Sequence, residues 1–458
     1  MKATIDNDTI KIIDADENVK RFLKDNLSYK DKSKEYQLRR LGKNPFNKKT
    51  AHYQKLQSEV YGSLYEELNG DIIIPSGFAH LIENIDIEDN RCDTGDVISL
   101  PWKTKPFDMR PYQEEGVEEM LDNWRGLINF ATGLGKTLTA VHAIRKLKRK
   151  TLVLCPNVSI ADNFYEELVS AFGEAKVGYF GGGKKKIKDI TVGIAQSVNN
   201  HVEKFKAAGL GLIIIDEVHH IPATTFFSIA SELNNVGRMY GLTATDFRSD
   251  GKDVMITAGV GRVLIKRDLV WGVENGWLAK PYIIVRSIDT DGYNYRDDKL
   301  KNYKAHVLNC EQMNSRIISD CQKFMAAGKS VLCLVSEVAH GTLISEQLGI
   351  PLATGIDKQS TQYVKDLNEG KIPGLVGTAS KIGEGTDTKR VDVLVLANFV
   401  ASKGPLWQNL GRGLRLYGNK THVIVLDYCP EGSTMLKRHC EQRIGFYKEI
   451  TDQVEIRN

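Results

Sequence analysis

The sequence predicts an α/β protein with two tandem parallel-sheet domains, preceded by a small N-terminal accessory domain. Three observations support this class: continuous apolar runs alternate with helix-patterned segments, the same rhythm restarts after Pro281, and a charge asymmetry is confined to the N-terminal part of the chain. Continuous apolar runs are typical of parallel strands buried on both faces, and the segments between them supply the covering helices. We therefore place the domains at 1–104, 105–278 and 279–458.

The accessory domain is predicted from charge. Residues 30–55 carry nine basic side chains against two acidic ones, a local charge of about +7, whereas residues 61–105 are acidic. This asymmetry suggests a domain with one basic face, although a solvated helix surface gives the same composition. Aromatic side chains interrupt the basic run, and we expect them in the core of this domain rather than at its surface: Tyr36, Phe46 and Tyr53.

The two sheets are predicted from two series of short apolar runs. The first series lies at 126–130, 152–155, 191–195, 211–216 and 239–245, with helical patterning at 138–147 and 163–171. The second series lies at 282–286, 331–335, 374–378, 391–397 and 422–427. Strands that alternate with helices indicate parallel sheets covered on both faces, and the two series meet near 275–280.

Composition excludes several classes of protein. The chain has 458 residues, and at roughly 100–200 residues per domain this corresponds to two to four domains. The hydrophobic content of 41% excludes a disordered or collagen-like chain. A net charge of +4 excludes a surface that is basic throughout, but not a local basic face. No apolar run approaches the roughly 18–20 residues that span a bilayer, so we expect no membrane partner. The first twenty residues do not resemble a secretory signal.

The seven cysteines are scattered, and none forms a Cys-x-x-Cys pair. Their odd number and irregular spacing favour reduced thiols in a cytoplasmic protein and argue against a zinc site.

A phosphate site is predicted where the run 126–130 meets the following helix. The glycine-rich loop there reads Ala-Thr-Gly-Leu-Gly-Lys-Thr, from Ala131 to Thr137. Glycines allow backbone N–H groups to close on phosphates, and the helix N-terminus adds positive potential. Lys136 would neutralise the phosphates, and Thr137 would offer its hydroxyl to Mg²⁺. Phe130 stands where the eight-residue form of this motif has glycine. The alternative to a phosphate site is a glycine turn that precedes the helix by chance.

Two carboxylates at a second strand end strengthen this prediction. The run 211–216 ends in Asp216 and Glu217, followed by Val218 and His219. Because ligands of open α/β sheets bind beyond the carboxyl ends of the strands, this segment and the glycine-rich loop are expected to face one ligand. Asp216 would hold Mg²⁺, and Glu217 would orient or deprotonate the attacking water. A surface turn is the alternative.

Upstream of the glycine-rich loop, Gln113 is a candidate for adenine recognition. A glutamine amide can contact N6 and N7 of adenine together. A single glutamine is weak evidence for adenine recognition. Its position about twenty residues before the glycine-rich loop strengthens that evidence.

Together these segments resemble the motif series of superfamily 2 helicases and translocases, from residue 107 to residue 415. Several matching segments in family order are more specific than any one of them. In that order they are Gln113, 131–137, 152–158, 191–198, 216–219, 241–245, Thr378 with 383–387, and 408–415.

Two segments resemble DNA-directed members of this superfamily. Residues 216–219 read Asp-Glu-Val-His, and residues 408–415 read Gln-Asn-Leu-Gly-Arg-Gly-Leu-Arg. Both segments differ from the corresponding motifs that are typical of RNA-unwinding members. The short chain most resembles phage branch-migrating helicases, which would place it in the host cytoplasm. An RNA helicase and a motor subunit of a larger restriction or repair complex remain alternatives. No convincing nuclease motif is present.

The resemblance implies two RecA-like domains that use ATP and Mg²⁺ and act on DNA, which we expect to be forked or branched. It assigns catalysis to Lys136, Glu217, Arg412 and Arg415, with the two arginines as arginine fingers. ATP contacts are assigned to Gln113, Thr132, Gly133, Gly135, Lys136, Thr137, Gly385 and Asp387. An arginine cluster on a solvated face is the alternative for 408–415. Protein partners cannot be read from the sequence.

The resemblance also implies a nucleic-acid track and residues that couple it to the nucleotide. DNA-backbone contacts are assigned to Pro156, Asn157, Gln196, Ser197 and Thr378, and coupling to His219, Thr243, Thr245 and Gln408. Such backbone contacts are largely independent of base sequence. A lysine-rich segment could add phosphate contacts or be a solvated loop: Lys184, Lys185, Lys186 and Lys188. The basic run 30–55 could engage the duplex arm of a fork, so residues 1–104 are a candidate duplex DNA-binding domain. Tyr293 and Tyr295 give only a weak indication of a strand-separating wedge.

Overall fold

The structure is a computed structural model. It describes residues 1–41, 48, 50–83, 85–104, 108–221, 223–233, 235–244, 253–295, 298–357, 359–383 and 388–457. The chain divides into two compact units, the first comprising residues 1–130 and 135–266 and the second comprising residues 131–134 and 267–458. Among the described residues, none of the helices combines the length and apolar character that a bilayer crossing requires. The three domain boundaries proposed from the sequence stay a prediction.

The first unit begins with a five-stranded sheet of order β5-β6-β2-β1-β7. Alternate side chains of β1, β2 and β6 are buried, including Ile10, Ile12, Ile72 and Ile74, so one face of these three strands carries a core. Two short strands, β3 and β4, pair separately. The elements of this region are β1 (Lys2–Ile5), β2 (Thr9–Ile13), α1 (Glu17–Leu27), β3 (Ser28–Lys30), α2 (Lys32–Leu41), α3 (Ala51–Ser58), β4 (Tyr61–Ser63), β5 (Glu66–Leu68), β6 (Asp71–Pro75), a 3-10 helix (Ser76–Leu81) and β7 (Asp86–Asp89).

The basic run of residues 30–55 is partly neutralised by local carboxylates. Glu35 pairs with Lys30 and Arg39, and Glu59 pairs with Lys34. The expectation that the aromatic residues of this run lie in a core is wrong for Tyr36, which is 68% exposed. Its position on α2, a helix with mostly charged neighbours, leaves it no apolar surface to cover. Tyr53 is half-buried, and Phe46 lies outside the described residues.

The rest of the first unit is an eight-stranded sheet of order β11-β10-β12-β9-β13-β14-β8-β15. The six strands from β10 to β8 are parallel, and β11 runs antiparallel to β10. The elements are α4 (Pro111–Asp122), β8 (Arg125–Phe130), α5 (Lys136–Leu147), β9 (Thr151–Cys155), α6 (Val158–Phe172), β10 (Val177–Gly181), β11 (Lys184–Lys185), β12 (Ile190–Ile194), α7 (Ala195–Asn199), α8 (Val202–Lys206), β13 (Leu212–Ile215), a 3-10 helix (Val218–His220), α9 (Ala223–Glu232), β14 (Arg238–Thr243), α10 (Asp253–Val260) and β15 (Val263–Arg267).

The second unit contains a seven-stranded parallel sheet of order β18-β19-β17-β20-β21-β16-β22. The elements are α11 (Leu269–Glu274), β16 (Lys280–Ile288), α12 (Lys299–Tyr303), a π-helix (Lys304–Leu308), α13 (Glu311–Ala326), β17 (Val331–Val335), α14 (Val338–Leu348), β18 (Leu352–Ala353), α15 (Ser360–Glu369), β19 (Gly374–Thr378), α16 (Ala379–Gly383), β20 (Val393–Ala397), α17 (Lys403–Gly413), β21 (His422–Pro430), α18 (Thr434–Ile450) and β22 (Val454–Arg457).

The predicted fold class is confirmed. Each of the ten apolar runs overlaps a strand of a parallel sheet, and the two helical segments lie within α5 and α6. In the central strands β9, β13, β17 and β20 every residue is buried, which explains why the runs are continuous.

A buried ion pair ties α18 to the second sheet. The Arg443 guanidinium donates to both carboxylate oxygens of Asp427, at 2.7 and 2.9 Å, and Tyr447 donates its hydroxyl to the same carboxylate at 2.8 Å. Asp427 is fully buried and Arg443 is 2% exposed. Arg443 therefore depends on Asp427 for neutralisation, because a buried charge without its counter-ion is costly.

We expect Asp427→Ala to lower the free energy of unfolding by about 3–5 kcal/mol, since it leaves the Arg443 charge buried without its partner. Urea denaturation followed by circular dichroism measures this loss. Glu369→Ala is the control, because it removes the exposed partner of Lys371 on the same unit. Equal unfolding midpoints for the two variants would contradict the prediction.

Candidate functional site

The glycine-rich loop connects β8 to α5 in a conformation that glycine permits. Gly133 and Gly135 have φ angles of 92° and 83°, in the left-handed region, and Gly135 caps the N-terminus of α5. A Cβ atom on Gly135 would lie 2.2 Å from Nε2 of Gln113, so the loop also needs glycine for space. Lys136 and Thr137 are then the first two residues of α5, where backbone N–H groups attract anions.

Gln113 lies in the first turn of α4 and is 3% exposed. Its Oε1 accepts a hydrogen bond from the backbone N–H of Arg110 at 2.9 Å, which fixes the amide against Gly135. The structure thus places Gln113 beside the glycine-rich loop, and its contact with adenine stays a prediction.

An ion pair joins the loop to the Asp-Glu segment. Lys136 Nζ lies 3.3 Å from Glu217 Oε1 and donates to the carbonyl oxygen of Phe130 at 3.3 Å. Strands β8 and β13 are both parallel to β14, which lies between them, so Lys136 and Glu217 meet at the carboxyl edge of the sheet. The expectation that both segments face one ligand agrees with this geometry.

The two carboxylates have opposite pKa shifts. Burial and the neighbouring charge of Glu217 raise the pKa of Asp216 to about 7, although Lys136 acts in the opposite direction. Burial also opposes ionisation of Glu217, but the charges of Lys136, His219 and His220 outweigh it and hold the pKa of Glu217 below its ordinary value. Glu217 is therefore the ionised member of the pair near neutral pH.

Glu217 also connects the loop to the predicted coupling residues. It adopts a left-handed backbone conformation, with φ of 44°. Its Oε2 lies 3.6 Å from Nδ1 of His219, and this nitrogen is 2.8 Å from Oγ1 of Thr243 at the end of β14. A continuous polar path thus runs from Lys136 through Glu217 and His219 to Thr243.

The described residues fit Mg²⁺ together with nucleotide phosphates. Buried Glu217 Oε2 has no hydrogen-bond partner among the residues that the structure describes. A cation near Asp216 would favour the ionised form of that carboxylate. No group of three or more His, Cys, Asp or Glu among the described residues could hold a metal by itself. Mg²⁺ commonly uses one or two carboxylates and completes its coordination with phosphates and water, so Asp216 and the Thr137 hydroxyl suit it.

The predicted arginines lie at the end of α17 in the second unit. Arg412 is 7% exposed and its carbonyl oxygen accepts from Thr388 Oγ1 at 3.1 Å, while burial lowers the pKa of Arg415 to about 10. Residues 131–134 belong to the same unit, and a Cβ atom on Gly133 would lie 3.1 Å from Cγ of Arg415. Buried Thr132 also lies close to α17, since a Cβ atom placed on Gly411 would lie 2.7 Å from Cβ of Thr132.

Gln408 lies on α17, one turn before Arg412, and is half-buried. Three predicted residues lie outside the described residues: Thr245, Gly385 and Asp387.

The predicted DNA contacts of the first unit lie where two neighbouring strands end. Pro156 and Asn157 follow β9, and Gln196 and Ser197 open α7 after β12. Asn157 accepts from the backbone N–H of Ile160 at 3.0 Å and so caps α6. Gln196 is exposed and donates to Asn200.

Thr378 ends β19 in the second unit and is 3% exposed, with Oγ1 accepting from Ser380 at 3.4 Å. Its contact with DNA stays a prediction.

Two participants were not predicted from the sequence. His220 adds to the charge that lowers the pKa of Glu217, and the carbonyl oxygen of Phe130 holds Lys136. The adjacent histidines after Glu217 could have indicated the first. A backbone carbonyl leaves no mark in a sequence, so the second required the structure.

Comparisons with known proteins agree with these features. Residues 106–248 match the family described as "Type III restriction enzyme, res subunit". The chain is 33% identical over 335 residues to DNA 3'-5' helicase XPB of Kineococcus radiotolerans, covering 68% of this chain and 58% of the relative. It is 27% identical over 362 residues to "Probable helicase D10" of Escherichia phage T5, covering 77% of each.

The fold is also that of a solved helicase. The Hef helicase domain of Pyrococcus furiosus superposes with a TM-score of 0.51 at 15% identity, covering 73% of this chain and 98% of that chain. The chain spans little more than half the length of several curated relatives, at 54%, 55% and 57%. These findings confirm that the chain resembles superfamily 2 DNA helicases and translocases, the helicase of phage T5 among them.

Proposed function

We propose that the protein is an ATP-dependent DNA helicase or translocase that remodels branched DNA by branch migration, fork regression or unwinding. The ion pair of Lys136 with Glu217 carries this proposal, because it joins the glycine-rich loop to the Asp-Glu segment at the carboxyl edge of a parallel sheet. Similarity to proteins named as DNA helicases favours DNA as the track. The branched form of the DNA rests on the resemblance to phage helicases.

The proposed hydrolysis relies on positioning and charge neutralisation, as phosphoryl transfer generally does. Bound Mg²⁺ would supply further positive charge beside the phosphates, with Asp216 and Thr137 as its protein ligands. Gln113, Thr132, Gly133 and Gly135 would hold the nucleotide, and Gly385 and Asp387 are assigned to it by resemblance. Arg412 and Arg415 are the arginine fingers of the proposal. An arginine finger increases the rate of phosphoryl transfer by roughly 10³–10⁵-fold.

Lys136 and Glu217 have linked tasks in this proposal. With no phosphate present, each neutralises the other. When Lys136 turns to the phosphates, Glu217 loses a charge that lowers its pKa and becomes a better acceptor for a proton of the attacking water. His219 and Thr243 follow Glu217 along the polar path. They would therefore transmit the loss of the Lys136–Glu217 ion pair to the edge of the sheet where the predicted DNA contacts lie. Thr245 and Gln408 are the further coupling residues of the proposal.

Lys136→Ala should lower DNA-stimulated ATP hydrolysis by about 10²–10³-fold, because one buried charge that stabilises the phosphates is lost. Steady-state phosphate release with saturating forked DNA measures this. Lys146→Ala is the matched control, since Lys146 is an exposed lysine of the same helix that pairs with Glu118. Full hydrolysis by Lys136→Ala would refute the assigned role.

Glu217→Gln should keep ATP binding and slow its turnover by about 10²–10⁴-fold, because an amide cannot accept the proton of water. Equilibrium binding of a fluorescent ATP analogue and single-turnover hydrolysis separate the two effects. Loss of binding together with hydrolysis would show that Glu217 shapes the site instead of activating water.

ATP hydrolysis should be stimulated by forked DNA and by Holliday junctions more strongly than by RNA of equal length. A panel of fork, junction, flap and RNA substrates, tested for hydrolysis and for strand rearrangement by the purified chain, measures this preference. Strong stimulation by RNA alone would favour an RNA helicase. Stimulated hydrolysis without strand rearrangement would favour a motor subunit that needs another chain.

A further inference from the structure

We propose that Lys184, Lys186 and Lys188, on the β10–β11 hairpin and the residues after it, bind backbone phosphates of a polynucleotide. This inference rests on the proposed function and extends its DNA track to a surface outside the helicase motifs. It is argued from the shape of the hairpin, its unbalanced charge and its position on the sheet.

The hairpin has a turn that glycine fixes. Gly182 and Gly183 have φ angles of 54° and 85°, and no atom lies within 4 Å of a Cβ atom placed on either residue. Glycine is thus required there for backbone conformation, and the turn itself faces open space. The backbone N–H of Lys186 donates to the carbonyl oxygen of Tyr179 at 2.9 Å, so the strand continues past Lys185.

Positive charge gathers beside this hairpin. A cavity of about 220 Å³ is lined by three lysines, two tyrosines and one acidic residue: Lys184, Lys186, Lys188, Tyr165, Tyr179 and Glu174. Lys184, Lys185 and Lys186 are exposed, and none of them forms an ion pair with a carboxylate in the described part of the chain. Many other lysines of this unit do form such pairs, for example Lys34 with Glu59 and Lys176 with Asp189.

The tyrosines hold one ammonium group in place. Lys184 Nζ lies 4.6 Å from the ring centroid of Tyr179 and 5.9 Å from that of Tyr165. The Tyr179 hydroxyl donates to Asp162 at 2.8 Å, which fixes its ring. A cation kept over aromatic rings loses less freedom when it meets an anion than a freely moving lysine does.

The hairpin continues the edge where the predicted DNA contacts lie. Strands β9, β12 and β10 are parallel neighbours, so their carboxyl ends share one edge of the sheet. Asn157 follows β9, Gln196 follows β12, and Lys184 pairs with Gly181 at the end of β10. A strand that contacts Asn157 and Gln196 would reach the hairpin by continuing along the same edge.

Lysine spacing favours a polynucleotide over a free phosphate ion. Lys184 and Lys186 are two residues apart on extended backbone, roughly 6.6 Å at about 3.3 Å per residue. Phosphates of one DNA strand that lie two nucleotides apart are separated by about 6.8 Å along the helix axis, so the two lysines match a phosphate and the next but one. Lys188 is partly engaged, because its ammonium donates to the carbonyl oxygen of Glu174 at 2.5 Å.

The test compares two double variants of equal charge. Lys184→Gln/Lys186→Gln removes the two hairpin charges. Lys103→Gln/Lys148→Gln removes two exposed lysines at the opposite edge, near the C-terminal ends of α6 and α5. Binding of a labelled thymidine 20-mer is measured by fluorescence anisotropy between 50 and 200 mM salt.

We expect the hairpin variant to reduce the slope of log affinity against log salt by about 1.4, at roughly 0.7 per phosphate contact on a single strand. Affinity for the oligonucleotide should fall accordingly. The control should keep the wild-type slope. Equal slopes for the two variants would contradict the proposal. They would show that the hairpin is a solvated loop that does not contact phosphates.

Two further measurements complete the test. The first distinguishes binding of a polynucleotide from binding of a free phosphate ion, and the second distinguishes failure of the lysine site from failure of the proposed function. Calorimetric titration with inorganic phosphate should show no difference between wild type and hairpin variant. A difference there, with unchanged oligonucleotide binding, would overturn the polynucleotide assignment. If wild type binds the oligonucleotide without stimulated ATP hydrolysis, the proposed function fails, and the salt slopes still decide the lysine site.

Discussion

The arrangement of this protein depends on one constraint: parallel strands carry all their carboxyl ends to one edge of a sheet. In the first unit this edge gathers residues that are far apart in sequence. Lys136 follows β8, Glu217 follows β13, and Thr243 ends β14. Because the sheet sets the order of the strands, it also sets which of these side chains can touch. The contact between Lys136 and Glu217 results from this order, and so does the path to His219 and Thr243.

The same edge of the sheet also brings charged side chains together. Because their surroundings exclude water, the interactions between these charges are strong. Asp216 is buried and the adjacent Glu217 is half-buried, so the two carboxylates cannot ionise with equal ease. Lys136 decides the outcome by favouring the ionised form of Glu217, while the pKa of Asp216 rises to about 7. This difference gives each carboxylate a separate chemistry, and a bound cation or phosphate would change both. The site therefore responds to its ligand through charge as well as through shape.

The sequence predicted five strands of each large sheet because burial on both faces leaves a continuous apolar run, and it missed the strands β11, β15, β18 and β22. It did not predict β10, where Gly178 and Gly181 interrupt the run, or the N-terminal sheet, whose strands are short and buried on one face only. For the site, the position of both segments at strand ends predicted that the glycine-rich loop and the Asp-Glu segment face one ligand, but not that Lys136 and Glu217 form an ion pair. It could not predict the left-handed backbone of Glu217 or the packing of Gln113 on Gly135, since both depend on contacts made only after folding.

Net charge conceals how this surface is organised. The whole chain carries only +4, yet its charges are not mixed evenly. Glu35 and Glu59 pair with several basic residues of the N-terminal region, whereas Lys184, Lys185 and Lys186 form no ion pair with a carboxylate among the residues that the structure describes. A nearly neutral protein with a local excess of lysine attracts a polyanion to that part of its surface. Such a distribution agrees with the proposed function, because a few phosphate contacts give an affinity that salt and conformational change can overcome.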